Sequence, residues 1–229
     1  SGTSNQLYGI TYGDTSYTTS GIFVTVGESG TILTSSDGVT WTSRNWGQAK
    51  RLYDVIYAKN RFAAVGGFCS GCDTSVEAPN IYSFDANSWT SGTSIGTNSG
   101  ELWGVTFGST LFAVVGEGKV WTSSDLNTWI SEPSGTTNTL FAITYGNSTY
   151  VAVGVSGTII TCSSSGCNSG GWTSRTSGTT NWLRAIIFGN NIFVVTGDSG
   201  TILTSLDGTT WTSRTSGTTN SIDGITSSE

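Results

Sequence analysis

The residues that could bind a ligand recur at two positions of an internal repeat. Three repeats carry a carboxylate in the turn after their second apolar run, at Glu28, Glu117 and Asp198. The residue after the first leucine of each repeat is large and able to stack, at Tyr8, Tyr53, Trp103, Phe141 and Arg184. A partial ring of carboxylates could hold a cation or sugar hydroxyl groups, and aromatic rings could stack on sugar rings. The alternative interpretation is that both sets are ordinary turn residues and filling between sheets.

The composition excludes several classes of catalytic site. The chain has 229 residues and no histidine, which rules out Ser-His-Asp and Cys-His catalysis, His-ligated metals and haem attachment through a Cys-x-x-Cys-His motif. A net charge of -6 argues against binding to nucleic acids or acidic membranes, where clustered Lys and Arg supply most of the affinity. We therefore expect a chain that is not an enzyme, with no cofactor, no metal site and no membrane span.

Five tandem repeats of about 39–48 residues account for almost the whole sequence. Each runs through Leu-x-x-Ile-x-Tyr-Gly, Phe-Val-x-Val-Gly and Gly-Thr-Ile-Leu-Thr-Ser, or close variants, and ends near Asp-Gly-x-Thr-Trp-Thr-Ser-Arg. Every insertion falls between the apolar runs, as expected when loops vary over a constant scaffold. The spacing therefore predicts one structural unit per repeat.

Each repeat should hold four short antiparallel strands, because short runs rich in Thr, Val, Ile and aromatic residues alternate with glycine-rich turns. In the fifth repeat we place them at residues 183–188, 192–196, 201–205 and 211–214. Four strands in about forty residues is the blade pattern of a β-propeller, so we predict one all-β domain with five blades packed radially. The blades are predicted at 1–45, 46–92, 93–133, 134–176 and 177–215.

The end of each repeat resembles the Asp box, or BNR repeat, of sialidase-like and photosystem-assembly-type propellers. The matching residues are Asp37 and Trp41, Asp85 and Trp89, Asp125 and Trp129, Asn168 and Trp172, and Asp207 and Trp211. The step from Asp to Trp is one residue shorter here than in the common box. In those families the box is a structural hairpin, in which Asp bonds backbone amides and Trp packs between strands. The resemblance does not extend to the sialidase chemistry, because the six arginines offer no clamp of three and no acid/base pair stands out.

The segment 216–229 repeats the beginning of the chain and supplies a sixth first strand. We expect it to complete the opening blade and close the ring. Two alternatives are that it adds to a neighbouring molecule, or that the chain is a piece of a longer array. An unpaired strand has exposed backbone donors and acceptors, which favours self-assembly if the strand stays free.

The four cysteines lie as two close pairs inside insertions. We predict the local disulfides Cys69–Cys72 and Cys162–Cys167, each stapling its loop. A zinc site would require the two pairs to meet, which the predicted strand order disfavours. Paired cysteines indicate an oxidising compartment, so we expect an extracellular or cell-surface protein whose leader has been removed.

These observations favour a secreted binding module without catalytic activity. The leading hypothesis is a lectin-like propeller that binds a glycan or a protein partner, at a cell surface or in a matrix, through the face formed by turns and connectors. Near-identical blades would give near-identical weak sites that act together. The alternative is a structural subunit of a sheath, envelope or appendage that assembles through its terminal strand.

Overall fold

The computed structural model describes residues 2–14, 21–67, 80–92, 95, 100–167 and 170–227. They contain twenty strands in five four-stranded antiparallel sheets, and none of the described residues lies in an α-helix. The first two sheets contain β1 Leu7–Gly13, β2 Ile22–Gly27, β3 Ile32–Ser35, β4 Thr42–Arg44, β5 Leu52–Ala58, β6 Arg61–Gly66, β7 Asn80–Ser83 and β8 Thr90–Ser91. The third and fourth contain β9 Leu102–Gly108, β10 Leu111–Gly116, β11 Val120–Ser123, β12 Ile130–Glu132, β13 Leu140–Gly146, β14 Thr149–Gly154, β15 Ile159–Ser163 and β16 Thr173–Arg175. The fifth contains β17 Leu183–Gly189, β18 Ile192–Gly197, β19 Ile202–Ser205 and β20 Thr212–Arg214.

The strands of every sheet pair in chain order, so that each repeat forms one blade. This confirms the predicted all-β architecture of five four-stranded blades. Single 3-10 turns join the second and third strands of the first, fourth and fifth blades, at Glu28–Gly30, Val155–Gly157 and Asp198–Gly200. The serine in the middle of each turn has a positive φ, as at Ser29 with 52°.

The chain divides into two compact units, and each is described by itself. The first comprises 1–105 and 125–129, and its core is a cluster of buried side chains from the first two blades that includes Val26, Leu52 and Phe62. The second unit comprises 106–124 and 130–229. It has two clusters, one joining β10 and β11 to the fourth blade and one joining the fourth blade to the fifth. Apolar residues on both faces of these strands are therefore buried between adjacent blades.

Glycines at the ends of first strands allow the next blade to approach closely. A Cβ on Gly13 would overlap the ring of Tyr57, and one on Gly146 would overlap the ring of Phe188. Gly108 has the same relation to Tyr145. Close packing of this kind leaves no space for an added methyl group. The glycine that ends the first apolar run thus has a packing role as well as a role in the turn.

The hairpin before the last strand is closed by an aspartate. In the first blade, Oδ1 of Asp37 accepts hydrogen bonds from the backbone N–H groups of Val39 at 2.8 Å and Thr40 at 2.7 Å. Trp41 donates its indole N–H to the carbonyl oxygen of Gly38 at 3.2 Å. The same carboxylate contacts are made by Asp85, Asp125 and Asp207. These bonds satisfy backbone donors in the turn, which fixes its shape.

The insertion in the fourth blade carries a disulfide between Cys162 and Cys167, whose Cα atoms lie 5.4 Å apart. Both cysteines are buried and belong to the core cluster that also contains Trp172. The predicted disulfide between Cys69 and Cys72 and the predicted hairpin residue Asn168 lie outside the described residues.

The C-terminal segment lies along the fifth blade. Ile222 donates its backbone N–H to the carbonyl oxygen of Gly197 at 3.1 Å, and Ser227 occupies the space above Gly189. Residues 221–227 are not assigned to a strand. Ser227 therefore contacts a first-strand glycine in the way that Phe188 contacts Gly146 one blade earlier. Completion of the opening blade by this segment stays a prediction.

We expect the hairpin aspartates to make the fold sensitive to acid. Backbone N–H groups of Thr40 and Val39 lower the pKa of Asp37 from 3.8 to about 2, and contacts with Thr209 and Thr210 lower the pKa of Asp207. A lowered pKa in the folded state stabilises the fold above the unfolded-state value of 3.8, and this contribution is lost as the pH falls toward 2.

The double variant Asp37→Asn, Asp207→Asn should therefore lose less stability over this pH range than the native chain, because an amide oxygen still accepts the bonds but does not titrate. Urea midpoints at neutral and acidic pH measure the difference. Glu117→Gln, outside these hairpins, is the control. An unchanged pH dependence in the double variant would contradict the assignment.

Gly146→Ala should lower the free energy of unfolding by about 2 kcal/mol, because the added methyl group meets the ring of Phe188. Gly224→Ala is the matched control, since a Cβ at Gly224 meets no atom within 4 Å. Denaturant unfolding of the two variants gives the comparison. Equal stabilities would show that the blades can move apart at no cost.

Candidate functional site

The residue after the first leucine of a blade is the extra residue of a β-bulge. In β1, Leu7 is opposite Gly27 and Gly9 is opposite Val26, so Tyr8 has no partner across the sheet. The same register shift occurs at Tyr53, Phe141 and Arg184. A bulge bends its strand and changes the direction of the extra side chain. The bulges therefore position these four predicted site residues at the end of the first strand.

In the first unit the bulge residues form a row of aromatic rings. The ring centroids of Tyr8 and Tyr53 are 5.4 Å apart with the planes tilted by 53°. Those of Tyr53 and Trp103 are 4.3 Å apart and stacked at 18°. Tyr8 is 43% exposed, whereas the other two rings are partly buried. Three of the five predicted bulge-position residues thus meet on one surface.

Charged side chains border this row. Tyr8 donates its hydroxyl to Oε1 of Glu28 at 3.1 Å, and Tyr53 donates to Oε1 of Glu101 at 2.9 Å. Arg51 lies 3.9 Å from the Glu28 carboxylate. We call Tyr8, Tyr53, Trp103, Glu28, Arg51 and Glu101 the aromatic–charged surface. It offers aromatic area, two carboxylates and one guanidinium side by side.

The surroundings keep the tyrosine hydroxyl groups protonated. Burial raises the pKa of Tyr53 to about 12, and the neighbouring Glu101 acts in the same direction. Burial and the hydrogen bond to Glu28 raise the pKa of Tyr8. Both hydroxyls are therefore hydrogen-bond donors at neutral pH rather than bases. This suits recognition of a partner better than proton transfer.

A partly buried carboxylate lies beside the row. Asp54 accepts the backbone N–H of Val55 at 2.8 Å and that of Val105 at 2.9 Å. Val105 lies two residues after Trp103, so Asp54 links the strands that carry Tyr53 and Trp103. Burial raises the pKa of Asp54. The carboxylate is held by these two backbone bonds, and we assign Asp54 a positioning role.

In the second unit the predicted residues Phe141, Arg184 and Asp198 also meet. The guanidinium of Arg184 bonds the carboxylate of Asp198 through Nε at 2.8 Å and Nη2 at 3.2 Å, and it lowers the pKa of Asp198. It lies 5.4 Å from the ring centre of Phe141 and 4.8 Å from that of Trp182. Ser221 donates its hydroxyl to the same carboxylate at 3.1 Å. The charge of Arg184 is thus neutralised by Asp198, and the Asp198 carboxylate accepts hydrogen bonds from both Arg184 and Ser221.

Glu117, the third predicted carboxylate, is exposed and lies in a turn that forms an isolated bridge with Thr139. Glu28 and Asp198 lie beside arginines, and they belong to different units. A cation site formed by the three carboxylates stays a prediction. Within the described part of the chain, no group of three His, Cys, Asp or Glu residues is placed to hold a metal ion.

Two equivalent grooves occur one blade apart in the second unit. The blade-four groove, of about 730 Å³, is lined by residues 135–136, 138, 156–158 and 174–180. The blade-five groove, of about 880 Å³, is lined by residues 177–179, 181, 199–201, 203, 211 and 213–220. Both are formed by Ser-Gly-Thr-Thr-Asn connectors and the neighbouring turn. Asn181 Nδ2 holds its connector to that turn by donating to Thr201 Oγ1 at 2.9 Å, and Asn138 does the same with Thr158.

Sequence reasoning missed Arg51, Glu101 and Trp182 as members of these clusters. All three stand immediately before the first leucine of their blade. The same repeat position holds Gln6 and Thr139 in other blades. This variation in residue type was the one sign in the sequence that the position differs in role between blades. Its proximity to the bulge residue became evident only from the structure.

Among the described residues there is no helix long and apolar enough to cross a membrane.

No protein-family model and no curated protein matches the sequence. The chain is similar to the solved structure of YCF48 bound to D1 peptide, with a TM-score of 0.63 and 15% identity over 91% of this chain and 66% of that chain. For YCF48 from Cyanidioschyzon merolae the values are 0.70 and 17%, over 96% and 75%. For the computationally designed protein Ika8 they are 0.63 and 14%, over 88% and 59%. The chain thus spans about two thirds of the first of these structures. These neighbours are β-propellers, and the fold class of the chain is the five-bladed β-propeller that its repeats predict.

Proposed function

We propose that the chain is a non-catalytic binding module that recognises a protein partner through its aromatic–charged surface. The observation that carries this proposal is the row of Tyr8, Tyr53 and Trp103, bordered by Glu28, Arg51 and Glu101. Tyr, Trp and Arg are the residues that most often dominate protein interfaces. The bulges and the hydrogen bonds of Asp54 already fix the strands that carry the row, so few side chains lose conformational freedom on binding.

The groups available on this surface fit binding better than catalysis. The tyrosines stay protonated, and Glu28 and Glu101 already accept hydrogen bonds from them. A general base needs a free basic atom whose pKa lies near the working pH. We therefore assign no residue a catalytic role and no cofactor.

The packing of the rings favours a protein segment over a sugar at this surface. A sugar ring stacks on an open aromatic face, but Tyr53 and Trp103 cover a face of each other and Tyr53 also contacts Tyr8. The edges of the rings and the charged groups remain for a partner. One similar YCF48 structure contains a peptide, which accords with this choice. Lectin-like binding of glycans is the alternative for the turn-and-connector face.

We also propose that the repeat hairpins are shortened Asp boxes. The support is the same pair of backbone bonds to the carboxylates of Asp37, Asp85, Asp125 and Asp207. Their role is structural, because Oδ1 of each aspartate accepts both bonds from its own turn. Asn168 is assigned the equivalent place in the fourth repeat from the sequence.

A second candidate function is assembly into a sheath, envelope or appendage. It is favoured by the exposure of the first strand, where Leu7 is 39%, Ile10 63% and Tyr12 54% exposed. In the next blade the equivalent Leu52 and Val55 are buried. A second copy could cover this apolar strand, using the segment 216–229. Large assemblies of the purified chain, abolished by Ile10→Lys, would favour this function over partner binding.

The partner-binding proposal can be tested with peptides selected from a random display library on the immobilised chain. Tyr53→Ala and Trp103→Ala should each weaken the selected peptides about 30-fold, since loss of an aromatic interface residue typically costs about 2 kcal/mol. Leu206→Ala, at a side chain that is 70% exposed and outside the surface, is the control. Titration calorimetry gives the affinities. Peptides that bind all variants equally would exclude the surface.

We propose that the protein is exported, because the disulfide Cys162–Cys167 persists only where thiols are oxidised. Cys162→Ser with Cys167→Ser should lower the free energy of unfolding by about 2 kcal/mol in non-reducing buffer. Ser165→Ala, in the same loop, is the control. Thiol trapping and mass measurement on protein from its native compartment test export directly, and reduced cysteines there would contradict it.

A further inference from the structure

Two arginines stand at the same repeat position beside the grooves. Arg175 ends β16 in the lining of the blade-four groove, and Arg214 ends β20 in the lining of the blade-five groove. Each donates its Nε–H to a threonine hydroxyl at 2.8 Å, Arg175 to Thr161 and Arg214 to Thr204. This bond orients the guanidinium while leaving the four N–H donors of the two Nη groups. In the part of the chain that the structure describes, neither arginine forms an ion pair with a carboxylate.

The grooves are local exceptions to the acidic character of the chain. The chain has 15 acidic and 9 basic residues, yet none of the described residues lining either groove is an Asp or Glu. The carboxylate of the nearby Asp198 forms an ion pair with Arg184, which neutralises its charge. The linings are otherwise rich in Ser and Thr hydroxyls, with Asn138 in one groove and Asn181 in the other. Each groove therefore presents one oriented cation among neutral hydrogen-bonding groups.

We propose that the two grooves bind an acidic polysaccharide, with one sulfate or carboxylate group of the polymer on each of Arg175 and Arg214. A guanidinium matches the paired oxygens of such groups. The surrounding hydroxyls exchange hydrogen bonds with sugar hydroxyls. The same connector builds both grooves, so a polymer spanning them gains affinity from two weak sites. The grooves favour a polysaccharide over a nucleic acid, because their Ser and Thr hydroxyls match the many hydroxyl groups of sugars, which a nucleic acid carries in much smaller number. The grooves share no residue with the aromatic–charged surface.

The first blade supplies a matched control. Arg44 ends β4 and donates its Nε–H to Thr34 Oγ1 at 2.9 Å, as the other two arginines do in their blades. Its connector differs, because Trp46 stands where the serine of Ser-Gly-Thr-Thr-Asn is found. The indole N–H of Trp46 donates to the carbonyl oxygen of Gly30 at 3.1 Å. Arg44 thus has the same local setting without the hydroxyl-rich connector.

The test is calorimetric titration of the full chain with a heparin-derived decasaccharide and with its desulfated, N-acetylated and carboxyl-reduced counterpart, which carries no charge. The sulfated chain should bind, and added salt should weaken it. Arg175→Gln and Arg214→Gln should each weaken binding about tenfold, the double variant should weaken it further, and Arg44→Gln should leave it unchanged. Thermal unfolding confirms that each variant is folded.

Equal binding of the uncharged decasaccharide would overturn the proposal, as would an equal loss in Arg44→Gln or a failure of the folded chain to bind the sulfated probe. Tyr53→Ala and Trp103→Ala should keep full affinity for the decasaccharide. A loss of binding in those variants would also contradict two separate sites. Tighter binding of single-stranded DNA of equal charge would point to a nucleic acid instead.

Discussion

An aromatic ring packed directly on a glycine joins successive blades within each unit. Tyr57 over Gly13, Tyr145 over Gly108 and Phe188 over Gly146 share this contact. Because even a methyl group on the glycine would overlap the ring, the rigid ring lies directly against the glycine backbone, and this contact sets the distance between the two strands. The first strand of a blade carries this glycine at its C-terminal end and the bulge near its N-terminal end. The positions of the candidate binding residues therefore depend on contacts at the opposite end of the strand.

The repeat pattern was sufficient to predict four strands in every blade and their positions in the fifth. In the fifth blade, the predicted strand at 183–188 is observed as Leu183–Gly189, and that at 211–214 as Thr212–Arg214. Alternation of apolar runs with glycine-rich turns is a local property, so spacing alone reveals it. Alignment of the repeats also identified the position of the aromatic residues. For Tyr8 and Tyr53, this is a position where the chain carries one residue more than its partner strand.

The clusters around those residues could not be read from the repeats. Whether Tyr53 stacks on Trp103, or Arg184 lies against Trp182, depends on the direction of a bulged side chain. Aligned repeats show which residues are equivalent but not where they point. The position before the leucine varied among Gln, Arg, Glu, Thr and Trp, and such variation also fits a neutral surface site. The net charge of -6 gave no sign of the grooves, because it averages over the whole chain. Among the described residues that line each groove, the charged one is an arginine.

The closeness of the fourth and fifth repeats has a consequence for folding. Both contain Trp-Thr-Ser-Arg-Thr-Ser-Gly-Thr-Thr-Asn, so a hairpin of one could exchange with that of the other while the chain is collapsing. The cystine of the fourth blade closes a loop that the fifth does not have and is buried with Trp172. The cross-link starts in β15 and closes part of the loop that leads to β16, so it shortens the free chain between two strands that pair. It therefore favours the pairing of β16 with the β15 of its own blade, in addition to stabilising the finished sheet.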